Sequence, residues 1–277
     1  MPRTSQGKFV TEASKVFQEG DDFWHAGRYD EARTAYEKAA GLYHQNDDLE
    51  GEAFVLSRLG ELELSLDDYQ EAEKALLSAT ELVRDADYAQ NTYGDALIKL
   101  SKLETARGHL LKARQYLKTA REVLAAIGNH DLSGDAYDHE AYIALRENRD
   151  ADALAAYKKA AELFREDGIS LKEASTLRAI ARIQMKNKEY DEAHDVLERC
   201  RDLYRENGDL LGEASALSAI GCLRYIIRDI ANARKALMKS VYLYGKVSHH
   251  YAEAESLLYL ARVEAFDKSR GDFERAK

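Results

Sequence analysis

The sequence predicts an all-α protein built of antiparallel helix pairs repeated along the chain, and three observations carry that reading. An acidic residue followed by alanine recurs as Glu12-Ala13, Glu52-Ala53, Asp95-Ala96, Asp135-Ala136, Glu173-Ala174, Glu213-Ala214 and Glu253-Ala254, with alanine spacings of 40, 43, 40, 38, 40 and 40. Within each unit, apolar and small residues fall at i, i+3, i+4 and i+7, as in Ala53, Leu56, Leu59 and Gly60. That is the period of an amphipathic helix, and strand alternation is absent. Finally, the only proline among 277 residues is Pro2, so nothing beyond it has to break a helix.

The anchors divide the chain into approximate repeats 8–47, 48–90, 91–130, 131–168, 169–208, 209–248 and an incomplete 249–277. A first helix carries the acid-alanine step. Seven residues on, Gly20, Gly60, Ala181, Gly221 and Ala261 leave room for close helix approach, while Leu103 and Ile143 take that place in repeats three and four. Gly27, Gly108 and the run Asn187-Lys188-Glu189 then stop the first helix. The second helix follows, often opening with an aromatic: Tyr29 before Ala32, Tyr69 before Ala72, Tyr190 before Ala193, Phe273 before Ala276, with Ala113, Ala153 and Ala233 completing the series. An apolar pair recurs in it as Leu42-Tyr43, Leu82-Val83, Val123-Leu124, Leu163-Phe164, Leu203-Tyr204 and Leu243-Tyr244. Polar linkers such as Asn46-Asp47-Asp48, Gly128-Asn129-His130-Asp131 and Asn207-Gly208-Asp209 end one unit and cap the next. The sequence stops at Lys277, one residue past Ala276. The seventh first-helix, rich in Leu257, Leu258, Leu260, Val263 and Phe266, is therefore expected to lack its partner helix, so that either the chain is a fragment of a longer repeat protein or this end self-associates or docks on a partner, the plain alternative being that residues 264–277 fold back or fray.

These residues resemble the tetratricopeptide repeat family. The likeness rests on the Gly or Ala in the first helix, a Tyr-x-Glu-Ala opening the second, and a small residue seven further on: Ala39, Ala79, Ala120, Ala160, Cys200 and Ser240. It covers residues 8–277. The units depart from the usual thirty-four-residue, proline-ended form by running to about forty residues with glycine-containing acidic linkers. That longer form looks like the repeats of kinesin light chains, spindle-orientation adaptors and bacterial peptide-sensing regulators. The resemblance implies a single right-handed superhelical solenoid over 1–277, with first helices lining a concave groove that holds a peptide or a helix.

Composition narrows the function classes. The net charge is −10, with 9 Lys and Arg against 21 Asp and Glu over residues 1–95, and 31 against 29 over residues 96–277. A nucleic-acid surface needs a basic field, so nucleic acid is not an expected partner, and an anion-seeking site belongs in the C-terminal two-thirds. No apolar stretch suits a bilayer span, Met1–Val10 has no apolar core of a secretory signal, and Cys200 and Cys222 are too few for a disulfide framework. A cytoplasmic protein without membrane insertion is expected. No His-Glu-x-x-His, paired Cys-x-x-Cys or Gly-x-x-x-x-Gly-Lys is present, so no catalytic residue and no cofactor is assigned. The one metal candidate, His130, Asp131, Asp135, Asp138 and His139, reads better as carboxylates that cap or open a helix beside exposed histidines, and no metal ligand is assigned. Cys200 stands at a core alanine position, and Cys222 has no neighbour that would activate it.

Positions offset by one from the anchors define candidate groove residues: Phe54 and Arg58 in repeat two, Tyr137 and Glu140 in repeat four, Arg178, Arg182 and Lys186 in repeat five, Tyr225 in repeat six, Tyr259 and Arg262 in repeat seven. Arg178, Arg182 and Lys186 stand at i, i+4 and i+8, one cationic row that is either a solvated face or an anion site; flanking Tyr137 and Tyr225 favour the second. The family's carboxylate clamp needs asparagines that are absent, since Arg182, Ala219, Glu255 and Tyr259 stand where it would be read. Trp24 is expected to pack under the first repeat. The leading function is a non-enzymatic scaffold that binds a protein or peptide partner of acidic or carboxylate-bearing character. The alternatives are the sensor or regulatory module of a larger signalling or transcription-regulatory protein and, third, a metal-dependent hydrolase using the loop from His130 to His139.

Overall fold

The computed structural model describes the backbone of residues 4–275 and the side chains of residues 12–267. Among the described residues it holds thirteen α-helices and no strand. They are α1 (Thr4–His25), α2 (Tyr29–His44), α3 (Leu49–Ser65), α4 (Tyr69–Val83), α5 (Gln90–Ala106), α6 (Leu110–Ala126), α7 (His130–Arg146), α8 (Asp150–Glu166), α9 (Ser170–Asn187), α10 (Tyr190–Glu206), α11 (Leu210–Ile226), α12 (Ile230–Lys246) and α13 (His250–Arg275). The chain divides into two compact units, residues 1–143 and 144–277, the division falling inside α7.

In the first unit α1 packs on α2, α3 on α4 and α5 on α6; α3 and α5, both first helices, also touch. In the second unit α9 packs on α10, α11 on α12 and α12 on α13, and the first helices α9, α11 and α13 touch in sequence. The fold is the predicted array of antiparallel helix pairs, like a tetratricopeptide solenoid in each unit.

The turns have a period of their own. Left-handed residues occur at Gly27, Asp47, Asp67, Gly108, Gly128, Asn148, Gly168, Lys188, Gly208, Arg228 and Ser248. Each sits just past a helix end, where a backbone bond reaches back over the last turn, as Glu189 N–H does to Gln184 O at 2.9 Å. The steps are twenty residues, except between Asp67 and Gly108, where a 3₁₀ turn at Asp87–Ala89 replaces the left-handed residue and adds one position. Next helices open on Asp or Asn caps: Asp48 accepts from Gly51 N–H at 2.9 Å, Asn129 from Leu132 N–H at 2.9 Å and Asp209 from Gly212 N–H at 2.8 Å.

Helix starts correct the register in repeats three and four. Counting four residues in from the start of each first helix from α3 onward gives Ala53, Gly94, Gly134, Ala174, Ala214 and Ala254. The anchors there are thus Gly94 and Gly134 rather than Ala96 and Ala136. Gly94 faces its own repeat's second helix so closely that a Cβ would lie 2.5 Å from Leu124 Cδ2. The small residue seven further on is then Ser101 or Ala141, both fully buried, and Leu103 and Ile143 belong to a different core row. In these two repeats the acid-alanine step occurs two residues late, which produced the uneven spacings.

α13 also departs from expectation. Val263 is fully buried against Ile230, Ala233 and Leu237, with Leu260 and Phe266 partly buried beside it, so these three are partnered by the preceding repeat. Ala254, Leu257, Leu258 and Ala261 are exposed. Phe273 and Ala276, read as opening a second helix, lie outside the described side chains; the backbone of α13 runs unbroken to Arg275.

Candidate functional site: a cationic cavity on the first helices

The first helices α9, α11 and α13 touch in sequence, and in α9 and α11 the positions one, four, five and eight beyond each anchor turn to one side. There the second unit encloses a cavity of about 570 Å³. α9 supplies Ser175, Arg178, Arg182 and Met185; α11 supplies Ser215, Ser218 and Cys222; α13 supplies Glu255 and Tyr259; Tyr244 of α12 also lines it.

Its electrostatics are one-sided. Arg178 donates to Ser215 Oγ at 2.7 Å, and among the described residues neither it nor Arg182 forms an ion pair. Arg262 lies beside the cavity with its guanidinium 5.1 Å from the Tyr259 ring centre. Glu255 is the only carboxylate among the lining residues. Burial pushes the Cys222 thiol up to about 11, against the lowering effect of the Tyr259 hydroxyl and Arg262, so the sulfur is a neutral thiol. Below the surface, Ser256 donates to Ser218 Oγ at 3.0 Å and Ser240 to Ala214 O at 2.8 Å, a hydroxyl chain that lets three helices approach without orphaned polar atoms. Cys200 is fully buried, its Sγ donating to Ala174 O at 3.2 Å, and burial raises its pKa to about 12.

Three of the sequence-selected residues, Arg178, Arg182 and Tyr259, meet in this cavity, with Arg262 at its edge. Lys186 does not; it forms an ion pair with Asp150 of α8. Tyr225 stands against Phe266 at 6.3 Å, edge to face, with Arg228 over both rings. Tyr137 and Glu140 follow from the late register of repeat four, and both engage Arg121 of α6: the guanidinium lies 4.9 Å from the Tyr137 ring centre and pairs with Glu140. Sequence reasoning passed over Ser175, Ser215 and Tyr244. Ser175 and Ser215 follow consecutive anchors by one position, so forty-residue spacing alone could have found them.

The first unit shows how the same face looks when its cations are matched. Phe54 is 43% exposed with its ring 5.2 Å from that of Phe17. Arg58 donates to Asp21 at 3.1 Å and to Glu61 at 2.9 Å, and lies 4.8 Å from the Trp24 ring centre. Trp24 itself packs on the core of the first repeats, as expected. Lys99, nearly buried, reaches Asp95 at 2.7 Å, Glu61 at 3.2 Å and Ser57 at 3.1 Å. Arg58 and Lys99 thus have carboxylate partners, whereas among the described residues Arg178 and Arg182 have none.

The histidine-aspartate cluster of α7 does not assemble. Among the described residues, no group of three or more His, Cys, Asp and Glu side chains could hold a metal ion. His139 is instead buried, its Nε2 3.2 Å from Thr105 Oγ1, and desolvation drives its pKa down to about 4 with Lys102 adding to the effect. No described helix is long and apolar enough to cross a membrane.

Comparison with known proteins agrees with this architecture. A tetratricopeptide repeat profile matches residues 13–85. No curated protein sequence matches the chain. Among solved structures, a signal transduction ATPase with numerous domains and a tetratricopeptide repeat sensor, from Pyrococcus horikoshii, superposes with a TM-score of 0.75 at 16% identity, covering 91% of this chain and 38% of that one. BtubC from P. vanneervenii gives 0.66 at 16% identity over 88% of this chain and 93% of that one. A Rap protein complexed with Competence and Sporulation Factor gives 0.65 at 15% identity over 92% and 75%. Identities this low speak for the fold alone.

Proposed function

From the premise that residues 13–85 are tetratricopeptide repeats and the remaining helices continue the same fold, we propose that this protein is a non-catalytic interaction scaffold. Its second unit takes an acidic or carboxylate-bearing segment of a partner protein, and the whole chain serves as one repeat array in the cytoplasm. The observation that carries the reading is the pair Arg178 and Arg182, exposed in a cavity and without carboxylate partners among the described residues, while Arg58 and Lys99 of the first unit are paired with carboxylates. Two guanidinium forks beside Ser175, Ser215, Ser218 and the Tyr244 and Tyr259 hydroxyls suit a carboxylate, which accepts several such bonds at once. Lys186 is already paired with Asp150, and Arg58 with Asp21 and Glu61, so neither supplies a direct bond; Tyr225 packs on Phe266 beyond the cavity, and Phe54, Tyr137 and Glu140 belong to the first unit. Self-association through the outer face of α13 belongs to the same reading.

Fluorescence anisotropy with a labelled peptide rich in Asp and Glu, against a Lys-rich peptide of equal length, tests it. Saturable binding of the acidic peptide alone supports the proposal; equal binding of both, or of neither, defeats it. A second reading, a sensor module of a larger signalling protein, is favoured by the likeness to a repeat sensor in an ATPase of which the matched region is 38%. A neighbouring output domain in the full-length gene product would support it.

A further inference from the structure

The cavity of the second unit holds one charge that a purely acidic ligand does not match. Glu255 of α13 is exposed among the lining residues and, among the described residues, forms no ion pair. It does not neutralise Arg178 or Arg182, although both line the same cavity. The forty-residue register explains the separation. Ser175, Ser215 and Glu255 stand one position beyond their anchors, in one row across α9, α11 and α13, and α9 and α13 each touch α11. The cations of α9 and the carboxylate of α13 thus lie on either side of α11. Arg262, seven residues beyond Glu255 and about 10 Å further along the same helix, shares the row of Arg182 and strengthens the cationic end. Tyr244 stands within the field of both signs: burial raises its pKa, Arg178 counteracts that rise and Glu255 adds to it. Arg58 of the first unit is settled differently, because it reaches Asp21 and Glu61 directly.

We propose that the ligand of this cavity is dipolar: its anionic group sits on Arg178 and Arg182, and a positively charged amine of the same segment sits on Glu255. The proposal deepens the cavity reading above and rests on it. The span follows from the fold. Packed helices lie about 8–10 Å apart, so α9 and α13 are two such steps from each other; less the reach of an arginine and a glutamate, the bound charges are roughly 10 Å apart, about three residues of extended chain. A purely acidic segment would set like charge against Glu255, and a purely basic one would meet the arginines. Opposite charges at this spacing match both ends, and they fix the direction in which the segment lies across α11. A lysine side chain and a free amino terminus both supply such an amine.

Isothermal titration calorimetry on the full chain with eight-residue peptides tests it. The reference peptide is capped at both ends and carries two adjacent glutamates at its centre. A second peptide adds a lysine three residues before them, a third adds one three residues after them, and a fourth is the reference with a free amino terminus. At least one amine-bearing peptide should bind about three- to tenfold more tightly than the reference, and the one that does identifies the amine as side chain or terminus. Glu255→Gln should tighten binding of the reference and remove the amine's advantage, with helicity unchanged by circular dichroism. Equal affinity of the parent chain for all four peptides overturns the proposal, as does an advantage that survives Glu255→Gln. The two readings fail separately. A reference peptide that binds, and weakens with Arg178→Ala/Arg182→Ala, but gains nothing from any amine strikes the dipolar ligand alone; binding of no peptide, or binding indifferent to the two arginines, strikes the cavity reading itself.

Discussion

Adding one methyl group at Gly221 and one at Gly41 should move stability in opposite directions. Both residues sit inside helices, where alanine is favoured over glycine by about 1 kcal/mol. At Gly41 in α2 no heavy atom comes within 4 Å of the added Cβ, so most of that gain is kept and Gly41→Ala should stabilise by about 0.5–1 kcal/mol. At Gly221 the Cβ would lie 2.5 Å from Leu237 Cγ and 3.3 Å from the Ala233 carbonyl oxygen. Leu237 is fully buried and its branch carbon cannot swing clear, while the carbonyl belongs to the backbone of α12. Relief requires α11 and α12 to separate, and overpacking of this kind costs about 1–3 kcal/mol, which offsets the helix gain and leaves Gly221→Ala destabilised by up to about 2 kcal/mol. Repeat arrays can lose all-or-none unfolding. The assay is therefore urea denaturation paired with native-state hydrogen exchange resolved to α11 and α12. A Gly221→Ala chain as stable as the parent, with α11 and α12 amides equally protected, would refute the close packing argued from the register.

Buried neutral His139 has a folded pKa of about 4, below its unfolded value, so its contribution is fully present above about pH 6.5 and is lost as pH falls toward 4; at 1.36 kcal/mol per unit this amounts to at most about 3 kcal/mol. His139→Gln should flatten the stability difference between pH 7 and pH 5 in urea titrations relative to the parent, and identical slopes would contradict the burial. Lys188 is exposed and held left-handed at φ 66°, so Lys188→Gly should stabilise by about 0.5–1 kcal/mol in thermal unfolding, and a loss would mean that its side chain is tied down.

The helical period, the turn positions near Gly27, Asp47, Gly108 and Lys188, and the small residue at Gly221 were legible because backbone sterics leave few residue types that serve there. The register of repeats three and four was not. Gly94 and Ala96 are both small, as are Gly134 and Ala136, and the acid-alanine pattern cannot tell which of the two faces the second helix; the nearness of Leu124 to Gly94 decides it. That slip of two moved Tyr137 and Glu140 to the side of Arg121, whereas Arg178, Arg182 and Tyr259, in repeats of true register, converge on one cavity. Which arginines are free was also invisible in sequence. Arg58 and Arg178 look alike as letters, and only the approach of Asp21 and Glu61 to Arg58 distinguishes them.

The central claim is that Arg178 and Arg182 bind anionic side chains of a partner, and the dissociation constant of an acidic peptide on the parent, Arg178→Ala/Arg182→Ala and Arg178→Lys/Arg182→Lys chains tests it most directly. Charged hydrogen bonds contribute about 1.5–3 kcal/mol each, so the double alanine chain should bind roughly 100-fold more weakly with unchanged helicity, the lysine chain should fall between, and added salt should narrow the gap. Equal affinity of all three chains would contradict the claim and return the two arginines to a solvated face.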